Sequence, residues 1–376
     1  MPANTHQSNT IVTQLTPPGR GALATISLQG PAAHRYALAC LAEPVPATNQ
    51  AKRPWLRTFG KPDQGGEELV VAFLDAQRVR LHCHGGAAAC EAVLQSLEAQ
   101  GAVRVSWEKW TSETNQCSLA ATAEQALSAA LTERAALILL DQWQGALKNE
   151  IEAISNLLGQ ASETAAALTK LDELIARASI GLHLTRPWRV VIAGKPNAGK
   201  SSLLNALLGF QRSITSEVPG TTRDVVTERT AFNGWPVELR DTAGLRESSD
   251  ELEVAGVELA RNEIATADLL LLVIPANEPC TDRLLNKNTL LVRTKCDLLP
   301  ARGAAEFTGQ LVSAVTAEGV PELIQAIVDH IVPHIPAAGT AVPFTTQQVE
   351  KLQSCRRHIP HELQHAQQSL SRMLSE

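Results

Sequence analysis

The chain has 376 residues, enough for two or three domains that each bury a core. Its 33 Lys and Arg against 39 Asp and Glu leave a net charge of -6, so no global basic field recruits nucleic acid or an anionic membrane, and any RNA contact requires a local patch. Seven cysteines without a C-x-x-C pair suit reduced thiols rather than a disulfide framework. The polar start "MPANTHQSNT" lacks a secretory pattern and no apolar run approaches the roughly 20 residues of a membrane span, so a soluble, cytoplasmic protein is expected.

Residues 1–118 mix apolar alternations ("TIVTQL", "ALATISL", "ELVVAFL", "RVRLHCHGG") with Gly and Pro punctuation, the pattern of an α+β domain. "AAACEAVLQSLEAQG" reads as a helix closed by Gly101. His82 and His84 would share a strand face, but no second ligand pair follows at zinc spacing, which disfavours a metal site. Residues 119–187 are rich in Ala, Leu and Glu, with no proline before Pro187, and predict the first part of a helical domain.

From 188 to 335 the strand-length apolar runs "VVIAG", "DLLLLVIP" and "NTLLVRT" alternate with helical segments, which implies a mixed, mostly parallel sheet covered on both faces. "TERTAFNGWPVELRDT" is a hairpin within that series, with Asn233 and Gly234 as a type I′ turn. After the linker "PHIPAAGTAVP", residues 344–376 form a polar helix interrupted by Pro360. The expected fold class is therefore multidomain α/β: a nucleotide-binding domain inserted in a helical domain and preceded by an α+β domain.

"GKPNAGKS" (194–201) matches G-x-x-x-x-G-K-[ST] after a strand and before a helix. Gly194 and Gly199 let backbone N–H groups turn inward on a phosphate, Lys200 supplies a charge for the β and γ phosphates, and Ser201 offers a hydroxyl to Mg²⁺. Asn197, Ala198 and Ser202 complete the loop and the helix start. "GTTRD" (220–224) can bring Thr222 to the metal beside Thr221, and in "DTAGL" (241–245) Asp241 acts on Mg²⁺ through water while the Gly244 amide meets the γ-phosphate; Thr242 and Ala243 lie between them. In "TKCD" (294–297), Thr294 and Lys295 precede Asp297, whose carboxylate can accept from N1–H and the 2-amino group of guanine and so select GTP over ATP. Thr294 replaces the usual Asn. "VSA" (312–314) would set a backbone N–H near the guanine O6 through Ser313 and Ala314. An adenylate-type kinase would leave "TKCD" and "DTAG" unexplained.

With these five motifs in order, the chain resembles the translation-factor-like small GTPases. Ras-like enzymes place a Gln just after D-x-x-G to orient the attacking water; here that position is Leu245. Asn197 in the loop and the segment "SITSEVPGTTRD" make the chain resemble the MnmE (TrmE) family of tRNA modification GTPases. That resemblance implies a K⁺ ion in place of an arginine finger, with Asn197 and main-chain groups of Ser216, Val218 and Thr221 as its ligands and Mg²⁺ on Ser201 and Thr222. It also implies that Glu253 helps orient the hydrolytic water, so that Glu253, Thr222 and Gly244 are the candidate catalytic groups. Pro219 stands where the family more often has Ala.

"NTIVTQLTPPGRGALATISLQGP", "LHCHGGAAACEAVLQSLEAQGA" and "TTQQVEKLQSCRRHI" extend the resemblance along nearly the whole chain. It implies a homodimer, a flavin-dependent MnmG-type partner subunit, tRNA as substrate, and bound 5-formyl-tetrahydrofolate. Three positions depart from the family's folate pocket: Ser27 for an arginine, Arg80 for a glutamate and Cys117 for a basic residue. The inverted charge at Arg80 counts against folate binding. The family's Phe-Cys-Ile-Gly-Lys-type tail has no counterpart in "SRMLSE", and Cys355 is too far inside to replace it.

Two readings follow: a K⁺-stimulated tRNA wobble-uridine modification GTPase, or a divergent relative that keeps the GTP cycle as a switch or assembly module. In both, Lys200→Ala is expected to lose the GTP uptake that calorimetry detects in the parent.

Overall fold

The computed structural model describes residues 9–19, 21–45, 53–60, 66–114, 118–210, 227–241, 263–279, 288–299, 308–359 and 362–375. The chain divides into two units, Met1–Gln116 and Cys117–Glu376.

The first unit is built on a six-stranded sheet in the order β3-β4-β5-β2-β1-β6. Its strands are β1 (Ile11–Gln14), β2 (Leu23–Gln29), β3 (Trp55–Phe59), β4 (Glu67–Asp75), β5 (Arg78–His84) and β6 (Val103–Arg104). Neighbours pair antiparallel except β1 with β6. Strand alternation sends Ile26 and Leu28 of β2 and Val79 and Leu81 of β5 into a core closed by Ala37 of α1 (Ala33–Ala39) and Val93 and Leu97 of α2 (Ala87–Ala99). Helix α2 ends at Gln100, and Gly101 follows with φ +107°. A further helix, α3 (Trp107–Thr114), packs on β1. The sequence pattern missed β3, α1 and α3, because each is short and β3 forms an edge whose alternation is weak.

The second unit begins with α4 (Ser118–Ser128), α5 (Glu133–Trp143), α6 (Ala146–Leu158), α7 (Thr164–Ala176) and the short α8 (Ala178–Gly181). Uniform helix propensity hides the breaks between them. One is set by Thr132, whose hydroxyl accepts from the Ala135 N–H as an N-cap, and another by Gly145, which adopts a left-handed φ of 105°.

The chain then builds a second six-stranded sheet, order β12-β11-β10-β7-β9-β8. Its strands are β7 (Trp188–Gly194), β8 (Thr227–Phe232), β9 (Trp235–Asp241), β10 (Leu269–Pro275), β11 (Thr289–Thr294) and β12 (Gln310–Val312). Only the β8/β9 pair is antiparallel. Its turn places Asn233 at φ 49° and Gly234 at φ 83°, both left-handed as a type I′ turn requires. Every residue of "LLLLVIP" in β10 is buried, as befits a strand flanked by parallel neighbours and covered on both faces.

Helices α9 (Lys200–Phe210) and α10 (Val320–Ile331) pack on each other beside this sheet. The chain then returns to the first helices. Helix α11 (Thr346–His358) starts with a capping box, in which Thr345 and Gln348 exchange side-chain and backbone hydrogen bonds, and packs on α7; α12 (Leu363–Ser375) packs on α4 and α6. One buried core runs from Leu139 and Ile154 through Leu171 and Val190 to Leu352 and Leu370, so the sheet is inserted within a helical frame made from both sides of it in sequence. Among the described residues no helix is long and apolar enough to cross a membrane.

Gln142 ties this frame together. Only 2% exposed on α5, its side-chain amide donates to the Thr340 carbonyl at 3.0 Å and accepts from the Val342 N–H at 3.0 Å. Leucine at this position would leave both backbone groups without their partner, at about 1–3 kcal/mol for each orphaned group. Gln142→Leu should therefore lower stability by about 2–6 kcal/mol in urea denaturation, with the slope against denaturant unchanged.

Candidate functional site at the carboxyl edge of the parallel sheet

Register decides what the site contains. Parallel pairing sets Gly194 level with Val273, Thr294 with Pro275, Val312 with Thr294, and Asp241 with Ile192. The ends of β7, β9, β11 and β12 thus meet on one edge, the place where open α/β sheets hold ligands.

Between β7 and α9 the chain turns sharply. A Cβ on Gly194 would lie 2.2 Å from the Val273 carbonyl oxygen, so only glycine lets the loop leave β7 beside β10. Asn197 takes a left-handed φ of 63° and Gly199 one of 91°. Such a conformation at a non-glycine residue is uncommon, and asparagine tolerates it better than most. Lys200 is 8% exposed, and its ammonium donates to the Lys195 carbonyl across the loop at 3.0 Å.

Two ties hold the loop to β11. The Thr294 hydroxyl donates to the Ala198 carbonyl at 2.6 Å, and the Lys295 ammonium donates to the Asn197 carbonyl at 2.9 Å. Because C=O and N–H of a trans peptide point opposite ways, anchoring the Ala198 carbonyl on β11 turns the Gly199 amide away from that strand. On the other side, the Ser201 hydroxyl donates to the buried Asp241 carboxylate at 2.8 Å, joining the start of α9 to the end of β9. A hydroxyl and a carboxylate are hard oxygen donors, and this pair fits Mg²⁺. Ser202 is exposed one position on.

The "TKCD" segment lies next to these. Lys295, at φ 60°, opens a turn in which Asp297 is exposed. Between them, burial first, then Glu318 and Asp297, push the Cys296 thiol above its ordinary range, so it stays protonated at neutral pH. Beyond β12, Ser313 is fully buried; its hydroxyl accepts from the Val315 and Thr316 amides and its own N–H donates to the Glu318 carbonyl, fixing the turn that carries Ala314. Ser216, Val218, Thr221, Thr222, Thr242, Ala243, Gly244, Glu253 and Cys117 lie outside the described residues.

One group belongs to no motif. Glu238 on β9, 5% exposed, receives Arg240 at 2.6 Å and Arg229 at 3.3 Å, while Arg240 also reaches Glu263 at 2.6 Å. This network braces the strand end that presents Asp241. Its trace in sequence is the alternating charge of "VELRD", which puts Glu238 and Arg240 on one strand face.

Residues 189–297 match the family model described as 50S ribosome-binding GTPase. Over 377 residues the chain is 33% identical to the tRNA modification GTPase MnmE of Acinetobacter baumannii (strain AYE), covering 87% of this chain and 82% of that protein. The chain belongs to the MnmE family. Similarity to MnmE of Thermotoga petrophila is 30% over 371 residues, with 85% and 81% of the two chains covered. Among solved structures, the G domain of the T. maritima FeoB iron transporter is similar at 28% identity over 39% of this chain and 99% of that domain, with a TM-score of 0.28. As an MnmE family member with a GTPase domain, the chain is a GTP-hydrolysing enzyme that works with GTP and Mg²⁺.

The Thr294 hydroxyl is the one side-chain donor that residue offers to the phosphate loop. Thr294→Val keeps its shape and orphans the Ala198 carbonyl, at about 1 kcal/mol or more. GDP affinity, followed with a fluorescent analogue, should fall about fivefold to tenfold.

Proposed function

We propose that this MnmE family member acts in tRNA modification at the wobble uridine (U34), driven by a K⁺-dependent GTP cycle. The observation that carries the reading is the joining of Ser201 to Asp241 and of Thr294 to Ala198 at one sheet edge, in a chain alike to MnmE along most of its length. Lys200 neutralises the β and γ phosphates, Asp297 selects guanine with Ser313 and Ala314 beside it, and Ser201 and Thr222 hold Mg²⁺. K⁺ sits on Asn197 and on main-chain groups of Ser216, Val218 and Thr221. Glu253 orients water and Gly244 meets the γ-phosphate, in a site where Leu245 can do neither.

Support for the K⁺ role comes from Asn197. Its left-handed backbone is held by the Lys295 contact to its own carbonyl, which leaves the exposed amide side chain available at the mouth of the loop. The protein works in the cytoplasm as a homodimer with a flavin-dependent MnmG-type subunit. Its domains are the N-terminal α+β domain (1–118), the helical domain (119–187 and 344–376) and the GTPase domain (188–335).

The second reading, a relative that keeps the GTP cycle as a switch without folate or tRNA chemistry, is favoured by one observation. Ser27 and Arg80, two of the departures from the folate pocket, stand directly opposite each other on β2 and β5. The readings part in a strain lacking this gene and any other MnmE gene: loss of the wobble modification supports the first, and its persistence the second.

The cation is tested separately. GTP hydrolysis should run about tenfold faster in K⁺ than in Na⁺, a difference of about 1.4 kcal/mol in barrier, and Asn197→Ala should erase it. Equal rates in the two salts for the parent would refute the K⁺ assignment.

A further inference from the structure

The face of the N-terminal sheet turned away from its core carries an unusual row. Thr13 of β1, Ser27 of β2, Arg80 of β5 and Ala72 of β4 are successive register partners, so their side chains share that face. Ser27 is 2% and Thr13 3% exposed. The Arg80 Nε is buried without a hydrogen-bond partner, and so is the Oε1 of Gln29, which stands two residues along β2 from Ser27.

Other basic groups on this face of β5 are accounted for. Arg78 is paired with Asp75, His84 with Glu67, and the His82 ring bonds the Thr25 hydroxyl at 3.0 Å. Burial first, and then the Arg80 charge, hold the His82 pKa below its ordinary value, so that ring is neutral near pH 7. Arg80 alone, among the described residues, presents a positive charge here with no carboxylate to meet it. A buried guanidinium nitrogen without an acceptor is costly, and its cost is relieved by an acceptor supplied from outside.

A folate does not fit this donor set. A guanidinium has donors only, so ring N–H groups that a carboxylate would accept face a cation instead. The donor and acceptor chemistry of a phosphate group suits this set. Its oxygens accept from Arg80, for which guanidinium geometry is suited, and a protonated phosphate oxygen can donate to Gln29, which a carboxylate ligand cannot do.

We propose that Arg80, flanked by Ser27, Thr13 and Gln29, forms a phosphate-binding site on this face, taking a small phosphate-bearing ligand where the family resemblance implies 5-formyl-tetrahydrofolate. The site belongs to the first unit and the GTP loop to the second. Its occupancy does not depend on the tRNA reading.

The test is calorimetric titration of inorganic phosphate, malonate and 5-formyl-tetrahydrofolate into the full chain saturated with GDP and Mg²⁺, so that the nucleotide loop is already filled. The parent should bind one equivalent of phosphate, at least tenfold tighter than malonate and at least tenfold tighter than Arg80→Gln binds phosphate. GTP hydrolysis by Arg80→Gln should equal the parent's, and its thermal melting followed by circular dichroism should overlay the parent's, which together show that both units of the variant are folded. Coincident phosphate isotherms for parent and variant, including the absence of binding in both, overturn the proposal. So does folate binding to the parent that phosphate fails to displace. Sedimentation gives the last arm: if Arg80→Gln changes the oligomeric state while the parent takes up no phosphate, the partner of Arg80 is a second copy and the site is not a ligand site.

Discussion

Parallel pairing of β9, β7, β10, β11 and β12 is the constraint on which the GTPase site rests. Strands that run the same way must end on the same edge, so segments distant in sequence are delivered to one crevice. The delivery is tight. Gly194 has no room for a side chain against Val273, and the loop beyond it is bolted to β11 through Ala198 and to β9 through Ser201. A slip of one residue in register would turn Thr294 to the opposite face and break the tie to the phosphate loop.

The insertion of this sheet into a helical frame follows from where the apolar surface lies. Helices α4 to α7 leave faces that α11 and α12 cover, and those two are separated from them by the whole GTPase sheet. Gln142 and Arg177 fasten the returning segment by hydrogen bonds to Thr340, Val342 and Ala341. These bonds are buried or half-buried, where a lost partner costs more than a made bond contributes. The exposed Arg356–Asp172 pair, although bidentate, adds much less to the same junction.

Some of this architecture was legible without coordinates. The phosphate loop reads from glycine spacing in a strand-to-helix context, the hairpin from Asn233 and Gly234, and β10 from an unbroken apolar run, because each depends on residues within a few positions of one another. The helix breaks at Thr132 and Gly145 were obscured by a composition that favours helix on both sides. The brace of Glu238, Arg229, Arg240 and Glu263 left only a faint trace, since two of its partners come from outside β9.

By itself the sequence determined the order of the GTPase motifs along the chain and the residue types they offer, from which the expected phosphate, Mg²⁺ and guanine roles were read. The family resemblance also implied that Ser27 and Arg80 depart from its folate pocket. Only the tertiary structure decided that these two face each other, that Thr294 locks the loop at Ala198, and that Gln142 reaches Val342. The partners in the last two cases are 96 and 200 residues apart. Their meeting depends on strand register and helix return, which emerge from packing of the whole unit and leave no signature in any local pattern of residues.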